Sequence, residues 1–93
     1  MKLSEPQKRV LKTMLEWDCP VFVPYYGGAW FGGRAVYHER RQVRKTTVRI
    51  LQTKGFLEED KNFVGWGAQR FILTPKGREK AKDLQDAQGG QHE

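Results

Sequence analysis

The stretch RRQVRKTTVRILQTKGFLEED, from Arg40 to Asp60, constrains this chain more than any other. Val43, Thr47, Ile50 and Leu51 recur at helical spacing, which predicts an amphipathic helix from about Glu39 to Lys54. Gly55 suits the left-handed position that ends a helix, and Phe56-Leu57-Glu58 then starts a strand. Residues 34–54 hold seven cations, Arg34, Arg40, Arg41, Arg44, Lys45, Arg49 and Lys54, against one acid, Glu39. The resulting +6 equals the formal net charge of the whole 93-residue chain. Positive potential is therefore concentrated on one element, and such a helix steers polyanions, of which nucleic acid is the commonest.

The length allows one modest core, so a single domain is expected over residues 1–88, with 89–93 as a disordered tail. Charged residues at 30% and aromatics at 12% exclude a disordered chain. A pI near 9.7 fits a nucleic-acid binder, although clustering says more than the total. No apolar run approaches the ~18–20 residues that span a bilayer, and no membrane partner is expected. The start MKLSEPQKRV lacks the apolar stretch of a signal peptide. One cysteine, Cys19, precludes an intramolecular disulfide and fits a reducing, cytoplasmic setting.

Elsewhere the signals are local. Ser4 and Gln7 form a capping box, and Val10, Leu11, Met14 and Leu15 predict a helix from Glu5 to Trp17, ended by Asp18-Cys19-Pro20. Val21, Phe22, Val23, Tyr25 and Tyr26, then Gly27-Gly28, then Ala29, Trp30 and Phe31, predict a β-hairpin that Gly32-Gly33 breaks or bulges. Gln69–Leu73 reads as another strand, with Phe71 and Leu73 on one face. Thr74 before Pro75 starts a last helix, to about Ala87, with Ala81 and Leu84 inward. The fold class is α+β.

TTVRILQTKGFLEED at 46–60 and RFILTPKGREKA at 70–81 resemble the end of a recognition helix, the two strands of a wing and the following helix of a winged helix-turn-helix domain. The second segment is similar to the "LT-x-x-G-R" helix start of MarR-like and related small bacterial and phage regulators. The resemblance covers about a third of the chain. It implies the order helix, β-hairpin, recognition helix, wing and C-terminal helix, and double-stranded DNA as partner. VFVPYYGGAWFGGRAVYH departs from the family, since a short second helix belongs there.

On the basic helix, Arg40, Arg41, Gln42, Lys45, Thr46, Arg49 and Gln52 carry the chemistry of a major groove: Arg pairs with guanine, Gln with adenine, and Lys or Thr holds phosphate. The alternative for such a face is plain solvation. In the wing, Lys61, Asn62, Trp66, Gln69 and Arg70 are in reach of a backbone or minor groove, whereas Glu58, Glu59 and Asp60 repel phosphate. Arg44 lies nearer the core edge, to pair with Glu39 or Glu16. The YYGGAWFGG patch has three readings: core, a base-stacking platform, or a subunit interface using Tyr25, Tyr26, Trp30 and Phe31. A weak homodimer is expected on that last ground, and a protein-interaction module is the alternative function. His38, His92 and Cys19 make no zinc site, GGAWFGG lacks the Lys of a phosphate loop, and neither enzyme nor cofactor is indicated.

Overall fold

A computed structural model of the chain describes residues 3–33, 43–63, 65 and 67–90. The described residues form a small α+β fold with three helices and a four-stranded antiparallel sheet. The elements are α1 (Glu5–Glu16), β1 (Val21–Pro24), β2 (Trp30–Phe31), α2 (Lys45–Thr53), β3 (Leu57–Glu59), β4 (Ala68–Leu73) and α3 (Pro75–Gly90).

The capping box at α1 is formed: Ser4 N–H donates to Gln7 Oε1 at 3.0 Å, and Gln7 N–H to Ser4 Oγ at 3.4 Å. The helix stops before Pro20 acts. Asp18 turns left-handed (φ 46°), and the Cys19 N–H reaches back to the Met14 carbonyl at 3.1 Å, a Schellman closure. Gly55 (φ 84°) closes α2 in the same way, with Phe56 N–H on the Leu51 carbonyl at 2.9 Å. Thr74 caps α3 as its sequence suggests, and α3 runs past Ala87 to Gly90, so residues 89 and 90 belong to the helix.

Sheet order is β2-β1-β4-β3. Val21 pairs with both Phe31 and Phe71, which puts an apolar row on the inner face. Val10, Leu11 and Met14 of α1, Val48 and Leu51 of α2, and Ala81 of α3 close over it. The hairpin at Gly27-Gly28 forms with Phe22 opposite Trp30. Phe31 is core at 1% exposure, so it is not available to a subunit interface; Tyr25 and Tyr26, by contrast, are 71% and 92% exposed.

The basic helix starts six residues later than its periodicity predicts. Val43 is not helical: its N–H and C=O exchange hydrogen bonds with Ala29 at 3.0 and 2.9 Å, and its side chain is buried in the core. Arg44 is the extended N-cap and is exposed. The helical register therefore begins at Lys45. Thr47, Val48 and Leu51 face inward, while Ile50, expected inside, is 40% exposed. Glu39, Arg40, Arg41 and Gln42 lie outside the described residues, and the helix expected over 39–54 is interrupted at Val43-Arg44.

Candidate nucleic-acid interface

With Thr47, Val48 and Leu51 anchored, the 100° advance per residue turns Thr46, Arg49 and Thr53 outward, with Lys45 and Gln52 on one flank and Ile50 on the other. Arg49 and Gln52 meet Gln69 of β4 around a cleft of about 190 Å³ floored by Val23, Val48 and Phe71. Gln69 points that way because it pairs with Val23 on the inner face, which α2 covers. Gln52 also borders a wider groove of about 650 Å³ along edge strand β3, lined by Glu58, Glu59, Asp60, Lys61 and Asn62. Five of the expected contacts, Arg49, Gln52, Lys61, Asn62 and Gln69, thus border two clefts that share Gln52. Trp66 lies outside the described residues.

Arg70, expected within reach of a backbone or minor groove, is paired within the fold. Its Nε donates to Asp60 Oδ2 at 2.9 Å, its Nη2 bonds the same oxygen, and its guanidinium lies 4.9 Å over the Phe63 ring. The cause is register: the Asp60 N–H bonds the Arg70 carbonyl at 2.8 Å, which sets the two side chains side by side on the outer face. These hydrogen bonds hold the Asp60 carboxyl below its ordinary range. Asp60 also organises the turn, accepting Asn62 N–H on Oδ1 at 3.0 Å. Gln69 Nε2 is 3.4 Å from Glu59 Oε2, a long and exposed contact that leaves the amide available.

The start of α2 is electrostatically unusual. Arg44 makes no side-chain cap, the first turn has no acid, and Lys45 sits at the positive end of the helix dipole. Arg9 of α1 joins Arg44, Thr47 and Val43 around a cavity of about 230 Å³ there. The sequence reading missed both Arg9 and exposed Ile50. Ile50 was legible had Val48 been taken as inward, but Arg9 needed the packing of α1 on α2.

Cys19 is buried, with Sγ 3.9 Å from the Thr13 carbonyl; burial first, and then Asp18, push its thiol up to about 11, so it stays protonated. Among the described residues no cluster of His, Cys, Asp or Glu could hold a metal ion, and no helix is long and apolar enough to cross a membrane. Comparison with protein-family models, curated proteins and solved structures found no match.

Proposed function

We propose that this chain is a winged-helix-type module that binds double-stranded DNA, serving as a small transcriptional regulator or phage-type accessory factor. One observation carries the reading: the solvent face of α2 gathers Lys45, Thr46, Arg49 and Gln52, with the amide of Gln69 beside them. That set offers guanidinium, amide, hydroxyl and ammonium donors, the groups that read base edges and hold phosphates. Two cations at an uncapped helix start oppose the dipole, a local cost that a bound polyanion offsets. In this reading α2 lies in the major groove, and the turn with Lys61 and Asn62 meets the adjacent backbone.

The test is anisotropy with mixed-sequence duplex DNA at two salt concentrations. Three phosphate contacts would weaken binding by ~40-fold between about 50 and 200 mM salt. Absence of binding at low salt, or indifference to salt, would sink the reading. At a selected site, Arg49→Ala should cost about 1–3 kcal/mol if it holds a base edge, whereas Lys45→Ala should weaken all sequences alike.

Exposed Glu58 and Glu59 along the β3 groove favour a second reading, a protein-interaction module with a basic partner. Glu58→Lys with Glu59→Lys separates the two. It raises duplex affinity if the wing meets phosphate, and abolishes nuclease-resistant partner capture if the groove holds a protein.

A further inference from the structure

The outer face of the sheet carries a row that the duplex reading leaves unused. β1 alternates Val21 and Val23 inward with Phe22 outward. Register places Phe22 directly between Trp30 of β2 and Arg70 of β4. Phe22 and Trp30 are stacked, with centroids 5.8 Å apart and planes at 29°. Phe63, from the β3–β4 turn, lies 5.4 Å from Phe22 and beneath the Arg70 guanidinium. The rings are held in place: a Cβ on Gly32 would stand 2.4 Å from Phe22 Cε2, so that ring rests directly on bare backbone. Trp30 remains 40% exposed.

We infer that this row, Trp30, Phe22, Phe63 and Arg70, is a stacking platform for the unpaired bases of single-stranded nucleic acid. A four-stranded sheet with aromatics on the face away from its helices is a known solution to that task, because any base presents a π-face. The chain as a whole, at +6, attracts a strand of phosphates and opposes a second copy of itself, and Arg70 and Arg78 are the cations nearest the row. Arg70 and Arg78 line a cavity of about 310 Å³ beside the row, together with Pro20 and Ile72. Among the described residues Arg78 pairs with Asp18 at an exposed 3.3 Å, which yields to phosphate at little cost. The face is distinct from α2, so the inference does not rest on duplex binding.

The test uses the full chain with labelled oligo(dT) and oligo(U) of about 12 nucleotides, within the range of a small stacking site. Saturable binding of either is expected. Trp30→Ala should weaken it ~5- to 150-fold, and Trp30→Phe should restore most of the affinity. Phe63→Leu keeps the apolar volume but removes the ring, and should give a loss of the same order. Affinity for duplex should not change in any of these variants, and thermal melts check that each is folded. The inference is overturned if neither oligonucleotide binds at low salt, or if a folded Trp30→Ala and Phe63→Leu bind as the parent does. It is equally overturned if sedimentation shows Trp30→Ala dissolving a dimer, which would give the face to a second copy.

Discussion

Gly77→Ala is the most demanding test of how the β3–β4 ribbon is held. Ala ordinarily favours a helix over Gly by about 1 kcal/mol, so propensity alone predicts stabilisation. The structure predicts the reverse. A Cβ at position 77 would lie 2.0 Å from the Phe56 carbonyl oxygen and 2.9 Å from its carbon. Relief needs a backbone shift of about 1.3 Å, since an unbonded carbon and oxygen approach to ~3.3 Å at closest. The same carbonyl accepts the Thr74 N–H at 3.1 Å, so the shift also lengthens that bond. Overpacking costs about 1–3 kcal/mol and the weakened bond ~1. Less the helix gain, the net is about 2 kcal/mol of destabilisation. In a domain of this size that is a Tm drop of roughly 8–16 °C. Urea denaturation followed by circular dichroism measures it, with exposed Glu79→Ala as a control expected within about 0.5 kcal/mol. A Gly77→Ala protein as stable as the parent, or more so, would show that α3 does not seat against Phe56 in this way.

Asp18 holds a left-handed conformation, so Asp18→Gly should be tolerated within about 0.5 kcal/mol, while β-branched Asp18→Val should cost about 1–2; paired thermal melts decide. Equal melts for the two variants would remove the Schellman stop from the account. Because Arg70 depresses the Asp60 carboxyl in the fold, its stabilisation is complete above the unfolded value of ~3.9 and lost as pH falls through the lower folded value. Urea midpoints against pH should therefore fall more steeply below that point for the parent than for Asp60→Asn, and superimposable profiles would contradict the pairing.

What the sequence made legible is what short-range chemistry determines. Ser4 with Gln7, Gly55 and Thr74-Pro75 each act within a turn of the chain, and each stands where its residues indicate. The start of α2 was not legible. Val43 fits a helical apolar stripe perfectly well, and only Ala29, fourteen residues earlier, draws it into a bridge. That shift exchanges Ile50 for Val48 on the inward arc. The partners of Arg70 were not legible for the same kind of reason. A basic residue in a strand next to a turn looks free until cross-strand register sets Asp60 and Phe63 against it. Of the aromatic patch, which had three readings, Phe31 and Ala29 lie in the core, Trp30 on the outer face, and the two tyrosines at a tip pinned by Tyr25 N–H to the Gly67 carbonyl.

Thr74 carries a consequence beyond its own helix. Its hydroxyl donates to the Gly55 carbonyl at 2.6 Å and accepts the Gly77 N–H at 3.0 Å, and Lys76 Nζ reaches the Lys54 carbonyl at 3.0 Å. One side chain thus closes the end of α2 and opens α3. Neither terminus can fray without exposing polar groups of the other, so both belong to one opening unit, with the β3–β4 ribbon tethered at its root. Native-state hydrogen exchange should report a common opening free energy for the Phe56, Thr74 and Gly77 amides, though they are up to 21 positions apart. A ribbon rooted this way moves with α2 as one body: whatever seats the helix also aims the β3–β4 turn.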